Sequence, residues 1–229
     1  MQTRPFDLCF VHVPKAAGVS VIEAFGAALG ERELVERGPN HALFGVTSRP
    51  GFRFVRIGHE TRVQGCLTLA EYRQRRAQCF VFAFVRNPFD RLVSAFHFLS
   101  RTDLPPLDLV DRARFILPYA GDFGGFVRNE LRTDEPAVFQ QIHLRPAYTW
   151  LCDDDGHLLA DFVGKVETLD ADVAEIARRF ALAGPVLPKL NATPHRPFAE
   201  HYDAETRALV ARAYQRDFEL FGYDPSRPG

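Results

Sequence analysis

The side chains best placed to do chemistry are Lys15, Gly18 and Ser20 in residues 10–20 (FVHVPKAAGVS), and Arg86 and Ser94 in residues 80–96 (FVFAFVRNPFDRLVSAF). Each stretch reads as an apolar strand running through a turn into a helix, with a cation at the junction. The first amides of a helix have no intrahelical partners, and the helix dipole leaves about half a positive charge there. Gly18 lets the backbone approach an anion, Ser20 adds a hydroxyl, and Lys15 adds a mobile full charge. A Walker A loop carries its lysine after its last glycine. Here Lys15 precedes Gly18, which disfavours an ATP-hydrolysing loop. In the second stretch Asn87 reads as an N-cap and Pro88 as the first helical residue. Arg86 then ends its strand at the C-terminal edge of a sheet, where ligands of open α/β sheets bind. Ser94 lies roughly two turns along the helix, on about the same side as Asn87. A guanidinium and a hydroxyl so placed can meet a second phosphate. Each motif alone also reads as an ordinary strand-to-helix turn; the pair describes a site for a nucleotide carrying an extra phosphate.

The elements that must hold these residues are legible in the hydrophobic pattern. Residues 8–13 and 79–85 are near-continuous apolar runs, the mark of strands covered on both faces of a parallel sheet. Residues 53–58 and 161–166 read as two further strands. Helical stripes are formed by Val21, Phe25, Ala28 and Leu29, by Phe89, Leu92, Val93 and Phe96, and by Leu169, Val173, Ile176 and Phe180. A last helix starts near Asp203 and runs toward Gly222, while pieces at 107–116 and 123–131 are helical as well. Strands alternating with helices give an α/β fold with a central, mostly parallel sheet flanked by helices. A single domain over 1–229 is expected, with residues 100–151, rich in Pro, Gly and Asp, as an insertion on the acceptor side.

Composition narrows the partners. The chain has 229 residues, 46% hydrophobic, with 21 Phe and a formal net charge of −1. It can build a sizeable core, and it lacks the basic surface that coats nucleic acid, so any anion site is local. Lys15 is one of only three lysines, with Lys165 and Lys189. Cys9, Cys66, Cys79 and Cys152 show no C-x-x-C pairing and read as buried free thiols in a reducing compartment. Residues 1–229 show no signal peptide and no 18-residue apolar stretch, so a cytoplasmic protein without a membrane span is expected, unless a longer anchored precursor was trimmed. No cluster has metal-ligand spacing, and no metal is expected.

The two motifs resemble the 5′-phosphosulfate loop and the 3′-phosphate motif of sulfotransferases that use 3′-phosphoadenosine 5′-phosphosulfate (PAPS). The likeness is greatest to the branch holding carbohydrate and heparan-sulfate 2-O-sulfotransferases and many bacterial relatives. That branch shows a PK-[TA]-[AG]-G-T-S loop and an F-x-R-[ND]-P-x-[DE]-R-L-x-S segment. The similarity continues in IGHE (57–60), DFVGKVETLDAD (161–172), LNATPHRP (190–197) and DFELFGY (217–223). It implies a P-loop-like three-layer fold. It also implies that Pro14, Lys15, Ala16, Ala17, Gly18, Val19 and Ser20 hold the 5′-phosphosulfate, Arg86 and Ser94 the 3′-phosphate, and that Asn191, Thr193 and Arg196 close over the nucleotide. Family loops often carry Thr where this chain has Ala16 and Val19, and a Gln where it has Ala147.

Sulfuryl transfer to a hydroxyl needs a base for the acceptor and a cation for the departing phosphate oxygen. The physics is that of phosphoryl transfer, dominated by positioning and charge stabilisation. Lys15 suits the second task. The family's glycine-histidine motif places the base at His59, after Gly58; an imidazole of ordinary pKa, about 6.5, suits general-base work. Glu60 is the rival, either as the base itself or as the group that orients His59. His41 has no supporting motif, and His12 reads as a core histidine. The expected reaction is PAPS-dependent sulfation, without metal, of a sugar or glycosylated small molecule, with the acceptor met by residues 100–151. Arg112, Arg114, Arg128, Arg132 and Arg145 there face either an acidic substrate or solvent. Two other classes compete: a nucleotide-binding module whose catalysis has decayed, and a nucleotide kinase.

Overall fold

The two non-alternating apolar runs become the middle strands of the four-strand parallel part of a six-stranded sheet. A computed structural model describes residues 6–29, 33–37, 43–49, 52–57, 69, 73–74, 79–182, 187 and 197–227. Its strands are β1 (Phe6–Val11), β2 (Glu33–Arg37), β3 (Leu43–Arg49), β4 (Phe52–Ile57), β5 (Cys79–Val85) and β6 (Phe162–Lys165). The order across the sheet is β2-β3-β4-β1-β5-β6. β1 pairs in parallel with β4 and β5, and β5 in parallel with β6. The fold is therefore α/β, with a central four-strand parallel sheet flanked by helices. The order reverses at β1, whose neighbours β4 and β5 lie on opposite sides of it, and this is where open α/β sheets place their ligands. An antiparallel pair, β2 with β3, extends the sheet beyond β4. It is absent from the sequence reading because its strands mix charged and apolar residues.

The chain divides into two compact units, one of Met1–Val85 and Ala147–Ala192, the other of Arg86–Pro146 and Thr193–Gly229. In the first, Leu8, Phe10, Phe82 and Phe84 line one face of the sheet. They pack with Val21 and Phe25 of α1 (Gly18–Leu29) and with Val173 and Ile176 of the helix Leu169–Arg179. Rings of Phe10 and Phe25 stand 5.3 and 5.2 Å from Phe82, within the range where aromatic pairs add to their burial. Asp161 joins this unit's edge: it accepts from the Val81 amide at 2.7 Å and pairs with both terminal nitrogens of Arg73 at 3.1 Å.

The second unit is helical. It holds α2 (Pro88–Leu99), α3 (Pro106–Phe115), α4 (Phe123–Glu130), and, after α5 (the Leu169–Arg179 helix of the first unit), α6 (Ala204–Ala213) and α7 (Gln215–Phe221). One apolar cluster joins Leu92 and Phe96 to Phe115, Phe126, Leu131 and Leu144, and these to Val210, Tyr214 and Phe218. Much of the segment read as an insertion thus shares a core with α2 and the C-terminal helices. Asp203 caps α6 in a reciprocal capping box with Thr206. The helix read as continuous to Gly222 is interrupted at Tyr214, which is 1% exposed and donates its hydroxyl to the Leu144 carbonyl at 2.6 Å. Gly222 takes the left-handed conformation that ends α7 (φ 62°). No helix among the described residues is long and apolar enough to cross a membrane.

Candidate active site

β1 ends at Val11, two residues earlier than its apolar run. The His12 amide still bonds to the Ile57 carbonyl at 3.1 Å, and the Val13 amide then turns back to the Val11 carbonyl. The chain next passes through Lys15 (φ 65°) and Ala17 (φ 58°), both left-handed. For residues with a Cβ this conformation costs about 1–2 kcal/mol each. Left-handed residues alternating with others turn successive amides toward one concavity, the arrangement that binds anions. Ala17 directly precedes α1, and its carbonyl accepts from Val21 at 3.1 Å. It has no side-chain oxygen to cap the helix, and among the described residues nothing accepts from the amides of Gly18, Val19 and Ser20. The start of α1 is therefore an uncapped cluster of donors.

Gly18 is not among the positive-φ glycines. Its role is steric. A Cβ built there would fall on the His12 imidazole, whose ring stacks on Phe10 with centres 5.9 Å apart. His12 thus forms the floor of the loop, consistent with a packing rather than a catalytic histidine. Pro14, Ala16 and Ser20 are buried, Lys15 and Ala17 half-buried, and the Val19 side chain points to solvent at 46% exposure.

The second motif folds as its sequence suggests. Asn87 caps α2, its side chain accepting from the Phe89 amide at 3.0 Å, and Pro88 opens the helix. Arg86 donates Nε to Asp90 at 2.6 Å, and the terminal amino groups of its guanidinium have no partner among the described residues. Asp90, one turn below, fixes the guanidinium's direction; the i, i+4 spacing was visible in the sequence, but its use as a brace was not. Ser94 is half-buried on the same helix. Arg91, also unassigned by the sequence, is 2% exposed and donates to the Arg145 carbonyl at 2.5 Å. Burial pulls its pKa down, opposed by the nearby Asp217 carboxylate. The DFELFGY segment therefore contributes a counter-charge for a buried arginine, a pairing that spacing along the chain does not reveal.

Other expected participants divide. His59, Glu60, Asn191, Thr193, Arg196 and His41 lie outside the described residues. Arg128 pairs with Asp203 and, at 2.7 Å, with Glu205, and Arg145 donates Nε to the Phe139 carbonyl at 3.1 Å, so both serve the fold. Cys9, Cys79 and Cys152 are free thiols; Cys66 lies outside the described residues. Asp153, Asp155 and His157 bring ligand atoms within 4.8 Å of one another at a hairpin turn. Asp155 and His157 are exposed there, and the His157 amide and ring already engage Asp153 at 2.7 and 3.3 Å.

The chain has an α/β sheet with an uncapped helix N-terminus after its switch-point strand, a place where open α/β sheets bind anionic ligands. Sequence comparison gives it a family: the profile of the sulfotransferase family matches residues 2–224, and the chain belongs to that family. It is 31% identical over 169 residues to carbohydrate sulfotransferase 12 of Mus musculus, an alignment covering 62% of this chain and 39% of the murine protein. The chain thus spans well under half of that relative's length.

Proposed function

We propose that the chain transfers a sulfuryl group from PAPS to a hydroxyl of a carbohydrate or glycosylated small molecule. The observation that carries this reading is the start of α1, where uncapped amides follow left-handed Lys15 and Ala17. Such a cradle fits the 5′-phosphosulfate without the missing threonines, since backbone amides supply the donors. Arg86, braced by Asp90, and Ser94 are assigned the 3′-phosphate. Family membership supports sulfuryl transfer, and the name of the murine relative supports a sugar acceptor.

Bound PAPS supplies the sulfuryl group. Lys15 neutralises charge on the phosphate oxygen, and His59 takes the proton of the acceptor hydroxyl, with Glu60 as the alternative base. Asn191, Thr193 and Arg196 cover the nucleotide. No metal enters this scheme, because Lys15 and Arg86 provide the cations. The buried and half-buried free thiols suit a reducing, cytoplasmic setting.

The test is calorimetry with adenosine 3′,5′-bisphosphate, AMP and ATP, followed by transfer from labelled PAPS to a sugar panel. The bisphosphate should bind roughly ten- to hundredfold more tightly than AMP, the worth of one charge-assisted contact. Equal affinities would remove the assignment of Arg86 and Ser94. Tight bisphosphate binding with no transfer to any acceptor would leave a binding module.

A further inference from the structure

α2 is covered around most of its circumference, with Phe89, Leu92, Val93, Phe96 and Leu99 all buried. One half-buried polar stripe interrupts this cover: Asp90, Ser94 and His97. They follow one another at i, i+4 and i+7, spacings that keep side chains on one helix face. Arg86 lies against the head of the stripe through its bond to Asp90. At the foot, the His97 ring meets the ring of His201 edge-to-face, with centres 5.3 Å apart. His201 closes the 3₁₀ turn Phe198–His201, and its ring also packs on Phe123 at 5.8 Å.

Among the described residues the stripe sets one cation against the ligand assigned to it. A phosphomonoester carries about −1.5 to −2 at neutral pH. Arg86 is a single cation, and its Nε is already shared with the Asp90 carboxylate. Ser94 offers one hydroxyl. His97 is the next polar side chain down the stripe, about 4.5 Å along the axis from Ser94. It brings His201 with it.

We propose that His97 and His201 complete the 3′-phosphate subsite, donating ring N–H groups to phosphate oxygens beside Ser94. This rests on the function proposed above, in which the stripe receives the 3′-phosphate. The pair would then be a specificity device, sensing a 3′-phosphomonoester and indifferent to a nucleotide that lacks one. The competing role is aromatic packing, since His97 also stands edge-to-face with Phe96 at 6.0 Å.

Phenylalanine separates the two roles, because it keeps a ring and removes every N–H. Adenosine 3′,5′-bisphosphate and AMP are titrated calorimetrically into wild type, His97→Phe and His201→Phe, with thermal melts on the same samples. Each variant should bind the bisphosphate roughly ten- to hundredfold more weakly, the worth of a donor to a charged oxygen, and AMP unchanged. Variants that melt like wild type and bind the bisphosphate equally well overturn the proposal and leave a packing pair. A wild type that does not prefer the bisphosphate over AMP removes the Arg86–Ser94 assignment first, and the histidines' role falls with it. A bisphosphate effect that survives in wild type but not in the histidine variants is unique to the proposal. The substitutions lie on separate elements, so misfolding of one leaves the other to decide.

Discussion

Gly18→Ala is the sharpest perturbation of the loop. The added methyl group would land on the His12 imidazole, which cannot retreat freely because it is stacked against Phe10. Overpacking of this kind costs typically about 1–3 kcal/mol. For a chain of this size roughly 2 kcal/mol lowers Tm by about 4–8 °C. Relief by movement of α1 would turn its first amides away from the anion, so bisphosphate affinity should fall as well. Because the clash has a single partner, a double-mutant cycle tests it: His12→Ala alone loses its stacking, but in that background Gly18→Ala should cost almost nothing. A coupling of at least about 1 kcal/mol is expected between residues in direct contact. Thermal melts and bisphosphate titrations of the four proteins provide the measurement. If Gly18→Ala melts with wild type, or if removing the imidazole does not rescue it, glycine is not there to accommodate His12.

Lys15→Ala should depress kcat much more than bisphosphate affinity, because its proposed work is on the departing oxygen in the transition state; lost binding with kcat intact would make it only an anchor. His59→Ala should keep nucleotide affinity and lower transfer by at least about 10²-fold, whereas an active His59→Ala beside a dead Glu60→Gln would move the base to the carboxylate. Asp217→Ala leaves Arg91 buried without its counter-charge and should cost about 3–5 kcal/mol in urea unfolding; a midpoint close to wild type would mean that Asp217 does not compensate Arg91. Burial pushes Tyr202 and Tyr214 up, and burial with the hydrogen bond to Glu130 pushes Tyr119 up to about 12. Because these phenols ionise more easily unfolded, where the ordinary value is near 10, their stabilisation is complete below pH 10 and is lost as pH rises through the folded values. Urea midpoints should therefore fall above pH 10, and Tyr202→Phe should flatten the fall; a slope unchanged by that substitution would exclude it as a contributor.

The parallel strands were legible because burial on both faces removes alternation: Leu8, Cys9, Phe10 and Val11, and Val81 through Val85, are at most 1% exposed. The cap at Asn87 and the helix start near Asp203 were legible because the signals for a helix start are local chemistry, written within three or four residues. The hairpin of β2 and β3 was not, since an antiparallel extension tolerates polar residues such as Glu33, Glu36 and Arg37. Within the candidate site, residue types led to the expectation of a phosphate loop, but the loop's shape is set by Lys15 and Ala17, whose side chains carry no left-handed signal. Gly18 drew attention because a bare backbone can approach an anion, and the structure adds that its missing Cβ leaves room for the His12 ring. Arg91 with Asp217, and His97 with His201, are pairs whose members are separated by most of the helical unit, so only the fold brings them into register.

The helical unit is written in two instalments, residues 86–146 and, after an excursion into the sheet, the segment from 193 onward. Its cluster cannot close until the second instalment exists: Phe89 waits for Tyr202 and Phe218, and the Leu144 carbonyl waits for the Tyr214 hydroxyl. On a ribosome the part of α2 around Phe89 therefore emerges early and lacks its final cover while the chain adds about a hundred more residues at roughly 5–20 per second. For those seconds the newborn protein presents Phe89 without Tyr202 and Phe218 to cover it, the kind of apolar surface that chaperones shield during synthesis.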